Sequence, residues 1–131
     1  MYPGTFDPFT PGHRDVVDRA RRMFDQVTIL VAVNDGKRPS QTTAARARGI
    51  RSLLPAGWEN VAVAAWHGLT VDYCRANGCR VIIRGVRNST DYLREHELAA
   101  TNEVLGVTTL FVPARPELVA MSSTAVRALR A

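Results

Sequence analysis

Four short stretches carry side chains whose type and spacing suit phosphate chemistry. The first is Tyr2–His13, reading YPGTFDPFTPGH. Pro3-Gly4 and Asp7-Pro8 are turn signals, so this stretch reads as a strand exit and loop that lead into a helix. Gly12 and His13 then stand at that helix's N-terminus, where unpaired backbone N–H groups and the positive end of the dipole attract anions. Gly12 lets backbone approach a ligand closely. His13 can donate hydrogen bonds to phosphoryl oxygens there, or it can simply fill the first turn. The second stretch is Asn34–Pro39 (NDGKRP), which sets Lys37 and Arg38 in a turn directly after a buried strand, or forms a solvated basic loop. The third is Ile83–Arg87 (IRGVR), where two arginines flanking a glycine can converge on one anion. The fourth is Met121–Thr124 (MSST), whose hydroxyls can meet a phosphate or cap a helix.

The elements needed to hold these stretches alternate along the chain. Val27–Val33 is a continuous apolar run, as a parallel strand covered on both faces would be. Val61–Trp66, Val81–Ile83 and Thr108–Val112 are further strands. Helices are expected over Arg14–Phe24, Thr43–Leu54, Thr70–Asn77 (stopped by Gly78) and Asp91–Leu105 (stopped by Gly106), with a last one starting near Ser122–Ser123. Such alternation predicts an open parallel α/β sheet with helices on both faces. In such sheets ligands bind beyond the carboxyl ends of the strands. All four stretches fall at strand exits or helix starts, so all four are expected on one edge of the sheet. The pattern also asks for a strand before the first helix, yet only Met1 and Tyr2 precede Pro3. The first strand is therefore expected to be a stub.

Composition narrows the partners. The 131 residues hold 17 basic and 12 acidic side chains, a net charge of +5, and Lys37 is the one lysine among the basic residues. A hydrophobic fraction of 46% with 22% charged is globular composition, and the length suits a single domain over 1–131. The arginines are scattered rather than massed on one arm, which argues against a nucleic-acid binder and for a small polyanionic substrate. The longest apolar run is far too short to span a bilayer, and no basic-then-apolar leader is seen, so a cytoplasmic protein is expected. Cys74 and Cys79, with four residues between them and no His or Cys cluster nearby, make a poor metal site and read as small buried residues of a reducing compartment. No G-x-G-x-x-G occurs. Gly36-Lys37 lacks both the upstream glycine and the following Ser/Thr of a P-loop.

YPGTFDP…TPGH, a K-x-P, IRGVR with an acidic residue downstream and SS[ST], in that order, resemble bacterial phosphopantetheine adenylyltransferase, a nucleotidyltransferase family with an H/T-x-G-H motif. The resemblance spans essentially the whole chain. It implies a Rossmann-like fold, often assembled as a hexamer, and transfer of an adenylyl group from ATP to 4′-phosphopantetheine with Mg²⁺ carried by the ATP. By the same resemblance Thr5 would bind the phosphates of both substrates and His13 would stabilise the α-phosphate in the transition state. Lys37 would hold the phosphates during attack, with Arg87 adding charge. Arg84 and Thr70 would face the acceptor. Phe6, Gly85, Arg87 and Glu95 would meet ATP, and Ser122, Ser123 and Thr124 match the nucleotide-binding serine loop.

The sequence departs from the family in places. Ala44-Ala45-Arg46 replaces an acidic-acidic-Arg stretch, Leu93-Arg94 replaces an aromatic-Glu run, and Thr70 stands where an apolar residue is common. The final helical segment of the family is not seen, and Met1 is expected to be a late start assignment in place of a Val of a longer natural chain. Two alternatives follow: a related cytidylyl- or adenylyltransferase with another phosphate acceptor, or a catalytically weak nucleotide- or coenzyme-A-binding module.

Overall fold

The computed structural model describes residues 1–33, 42–120 and 122–130. Lys37 and the whole NDGKRP stretch, and Met121 of MSST, lie outside the described residues. The described elements run β1 (Tyr2–Gly4), α1 (Pro11–Arg21), β2 (Val27–Ala32), α2 (Thr43–Leu53), β3 (Val61–Trp66), α3 (Thr70–Asn77), β4 (Val81–Val86), α4 (Ser89–Val104), β5 (Thr108–Pro113) and α5 (Ser123–Arg130).

All strand pairs are parallel. β2 lies between β1 and β3, with Tyr2 opposite Ile29 and Val27 opposite Val61. β4 pairs with β5, Arg84 opposite Phe111. Met1 joins the two ladders: its N–H donates to the Val81 carbonyl at 2.9 Å, and its own carbonyl accepts from the Ile83 N–H at 2.8 Å. The strand order is thus β3-β2-β1-β4-β5, with β1 in mid-sheet. The first strand is indeed short, three residues long. The chain steps outward from β1 on one side and returns to lay β4 on the other, so the order reverses between β1 and β4. That reversal opens a crevice beyond their carboxyl ends, where doubly wound sheets bind ligands.

Burial follows the two-faced cover expected of a parallel sheet. Ile29, Leu30 and Val31 of β2 are all fully buried. On one face Ile29, Val31 and Ile83 pack with Val16, Val17 and Ala20 of α1 and with Ala47 and Ile50 of α2. On the other, Leu30 and Ile82 pack with Val71 and Cys74 of α3. Among the described residues no helix is long and apolar enough to cross a membrane.

Three boundaries differ from the sequence expectation by three residues. α1 starts at Pro11 rather than Arg14, because Thr10 caps it and Pro11 fits the first turn, where its missing N–H costs nothing. It stops earlier too, where the Asn60 amide takes the Arg21 and Phe24 carbonyls at 2.8 and 3.1 Å. β4 runs on to Val86 because β5 keeps pairing, Gly85 with Val112 and Val86 with Pro113. Arg84 and Gly85 therefore sit inside a strand, and only Arg87 lies past its end.

Candidate active site at the sheet switch point

A cleft of about 320 Å³ opens at the carboxyl ends of β1 and β4. Thr5, Phe6, His13, Arg84, Gly85, Arg87, Glu95, Ser122, Ser123 and Thr124 all line it. Of the residues singled out in the sequence, Thr70 is elsewhere, at the first turn of α3, and Lys37 is outside the described residues. A larger cavity of about 430 Å³ lies at the opposite, amino ends of the strands against Met1, Val27 and Val81, and it holds none of these residues.

The floor of the cleft is the turn after β1. Phe6 adopts a φ of 50°, the left-handed region, and is nearly fully buried. Its ring lies over Gly4 so closely that a Cβ there would stand 2.7 Å from it, which is why the position is a glycine. The same ring meets Tyr2, Phe9 and His13 edge-on, with centroids 5.3, 5.4 and 5.0 Å apart. A wall of aromatic carbon therefore backs the His13 imidazole.

His13 is the third residue of α1. Thr10 and His13 form a reciprocal cap: the His13 N–H donates to Thr10 Oγ1 at 3.3 Å, and the Thr10 N–H donates to His13 Nδ1 at 2.9 Å. Because Nδ1 accepts from a backbone N–H, the ring proton of neutral His13 is on Nε2, free to donate. Burial, then the charges of Arg84 and Arg87, push its pKa from 6.5 down to about 4. At neutral pH the side chain is a fixed, uncharged hydrogen-bond donor.

The two arginines of IRGVR are each held by a carboxylate of α4. Arg84 donates from Nε and Nη2 to the two oxygens of Glu95, at 2.8 and 2.7 Å, and from Nη1 to the Pro3 carbonyl at 3.0 Å. Burial works against the Arg84 charge, but the hydrogen bonds and attraction of Glu95 outweigh it and raise its pKa. Arg87 donates from its backbone N–H and from Nε to Asp91 Oδ2, at 3.1 and 3.0 Å. Burial resists ionisation of Asp91, yet these bonds and the charges of Arg87 and Arg94 hold its carboxyl below the usual range. Asp91 also places its N–H on the Asn88 side chain at 2.9 Å, capping α4.

At the serine loop, Ser123 Oγ donates to the Pro8 carbonyl at 2.6 Å, tying α5 to the floor turn. Ser122 Oγ accepts from the Ala125 N–H at 3.0 Å as a helix cap. Thr124 Oγ1 accepts from Arg127 Nη2 at 3.3 Å.

Asp7, Arg46 and Arg127 were not singled out by sequence as site residues. Asp7 read only as a turn former and Arg46 only as part of the Ala44-Ala45-Arg46 departure. Arg46 nevertheless left a signal: it shares with Thr43, Ala47 and Ile50 the buried stripe of α2, where an arginine is out of place.

Nearly the whole chain matches known proteins. Residues 1–129 match the cytidylyltransferase-like family model. A phosphopantetheine adenylyltransferase of Bifidobacterium longum is 46% identical over 95% of this chain and 76% of its own length. Those of Frankia alni and Leptospira biflexa are 41% and 38% identical, over 95% and 97% of this chain and 80% of theirs. Among solved structures, a lipopolysaccharide core biosynthesis protein of Thermoplasma volcanium shares the fold, with a TM-score of 0.62 at 24% identity over 88% of this chain and 93% of that one. A short mid-sheet first strand, a capped histidine at the switch point and this kinship together place the chain in the cytidylyltransferase-like nucleotidyltransferases, and among them in the phosphopantetheine adenylyltransferase family.

Proposed function

We propose that this chain transfers the adenylyl group of ATP to 4′-phosphopantetheine, giving dephospho-coenzyme A and pyrophosphate, and does so as one nucleotidyltransferase domain over residues 1–131. The observation that carries this reading is His13, an uncharged imidazole with its Nε2–H available, set among Arg84 and Arg87 at the sheet switch point.

An oxygen of the acceptor phosphate attacks the α-phosphorus of ATP in line. A new P–O bond forms as the bond to the pyrophosphate oxygen breaks, and no covalent enzyme intermediate is required. In the transition state charge is spread over the equatorial oxygens, so fixed donors aimed at them lower the barrier. His13 Nε2–H is such a donor, and in the ligand-free protein burial and the charges of Arg84 and Arg87 hold its ring uncharged. Thr5 and the N-terminus of α1 receive phosphate at the floor. Arg84, with donors left beyond those spent on Glu95 and Pro3, faces the acceptor. Gly85, Arg87, Phe6 and the serine loop of Ser122, Ser123 and Thr124 form the nucleotide side, with Glu95 between the two. Thr70, on α3, takes the pantetheine arm, and Lys37 follows the phosphates as they move.

In this reading Mg²⁺ comes in on the triphosphate. Among the described residues no three His, Cys, Asp or Glu side chains gather as ligands, and Asp91 and Glu95 of the cleft are each engaged by an arginine. Bound there, it would neutralise phosphate charge. The reading extends to a cytoplasmic homo-oligomer. Self-association is supported by α4, which buries none of its described side chains and exposes Leu93, Leu98 and Val104.

The test is pyrophosphate release from ATP or CTP, each with and without 4′-phosphopantetheine. Release is expected from ATP with the acceptor alone. Release from CTP instead would turn the reading to a cytidylyltransferase, and no release in any combination would leave a binding module.

A further inference from the structure

We propose that Arg46 and Arg127 clamp the Thr5–Asp7 turn from two sides, and that Arg46 is a positioning residue that sets Thr5 for transfer; this rests on the adenylyltransferase reading. Arg46 comes from α2, the helix that follows the Lys37 stretch in sequence. Arg127 comes from α5, the helix that the serine loop opens. Arg46 Nη1 donates to the Thr5 carbonyl, and Arg127 Nη1 donates to the Asp7 carbonyl. Ser123 adds a third bond, to the Pro8 carbonyl at 2.6 Å. Three carbonyls of one four-residue turn are thus held by side chains from other elements.

Charge reinforces the geometry. Asp7 is buried, and its Oδ2 lies 3.8 Å from Arg127 Nη1. Arg46 is only 3% exposed. Burial pulls the Arg46 pKa down, and the Asp7 carboxylate works against that pull. Asp7 therefore supports an arginine on each side of the turn.

The turn needs such holding. Phe6 sits in the left-handed region, which side chains other than glycine keep only where their surroundings over-determine it. Across a trans peptide the C=O and N–H point opposite ways, so fixing the Thr5 carbonyl also fixes the Phe6 N–H. A guanidinium at Arg46 thereby orients the backbone beside the Thr5 hydroxyl. An apolar residue at 46 would keep the packing of the α2 stripe while removing the guanidinium from the Thr5 carbonyl, so it separates what the core needs from what the turn needs.

The decisive variant is Arg46→Met, compared with Arg46→Lys and the parent. Arg46→Met is expected to fold with a lowered Tm, while kcat for pyrophosphate release, measured well below that Tm, falls at least tenfold with little change in KM for ATP. In the ligand-free protein, amide hydrogen exchange at Phe6 and Asp7 is expected to speed up at least tenfold, while Ile29–Val31 stay protected. Methylguanidinium should restore part of the rate to Arg46→Ala, and methylammonium should not. A kcat within twofold of the parent, or unchanged exchange at Phe6 and Asp7, overturns the clamp. If the parent releases no pyrophosphate, the adenylyltransferase reading fails, and the exchange measurement decides the clamp by itself. If Arg46→Met does not fold, Arg127→Met, at a half-exposed position, puts the same exchange question to the other arm.

Discussion

Lowering the pH from 7 to 5 should destabilise the protein through His13, and the size of the effect can be worked from its surroundings. In the folded chain the imidazole resists protonation until about pH 4, because it is buried and faces the charges of Arg84 and Arg87. In the unfolded chain it protonates near 6.5. Above about 6.5 neither state binds the proton and stability is unaffected. Between 6.5 and about 4 only the unfolded state binds it, so stability falls steadily as the pH falls; below about 4 both states bind it and the loss levels off. The loss from pH 7 to pH 5 is on the order of 2 kcal/mol. His13→Gln isolates it. Glutamine at the third helical position can still accept from the Thr10 N–H, as in an ordinary capping box, but it does not titrate. Urea melts of parent and variant at the two pH values give the difference, and an NMR titration of the ring nitrogens reads the pKa and the Nε2–H tautomer directly. Parallel pH dependences in the two proteins, or a ring pKa near 6.5, would refute the buried, neutral donor.

Three further expectations can be checked with the same material. His13→Ala should lower the rate of pyrophosphate release by about 10²–10³, the usual cost of a missing preorganised donor, and an unchanged rate would remove His13 from the chemistry. Lys37→Arg, conservative on paper, should be costly in kcat because a planar guanidinium does not replace a compact ammonium that follows a moving phosphate; steady-state kinetics of the single variant decide it. Gly4→Ala should destabilise the fold by about 1–3 kcal/mol, since the new methyl meets the Phe6 ring at 2.7 Å and Tyr2, Phe9 and His13 hem that ring in. A Tm equal to the parent's would show that the aromatic wall is softer than its packing implies.

Much of the fold was legible in local signals. The unbroken apolar run of β2 marked a strand covered on both faces, and Gly78 and Gly106, at φ of 68° and 85°, closed their helices as their types suggest. Two of the boundaries that slipped, the end of α1 and the end of β4, did so for non-local reasons. Asn60 stops α1 across 39 residues of sequence, and β5 keeps β4 paired past Ile83. Cys79, expected to be buried, is only partly so: in the turn between α3 and β4 it packs against the cluster of Met1, Leu30 and Val71, and its thiol donates to the Val81 carbonyl at 3.2 Å.

The sequence by itself determined which residue types suited to phosphate the chain carries and in what order: His13 after Gly12, the IRGVR arginines, the serine loop and the lone lysine. Those signals live in a few neighbouring residues, so composition and spacing suffice to read them. Only the tertiary structure decided that Arg84 is spoken for by Glu95, that His13 is neutral with its proton on Nε2, and that Arg46 and Arg127 grip one turn from 41 and 120 residues away. Burial and ion pairing are properties of what packs together. Parallel strands bring distant segments to one edge of the sheet, where no local pattern in the chain records their meeting.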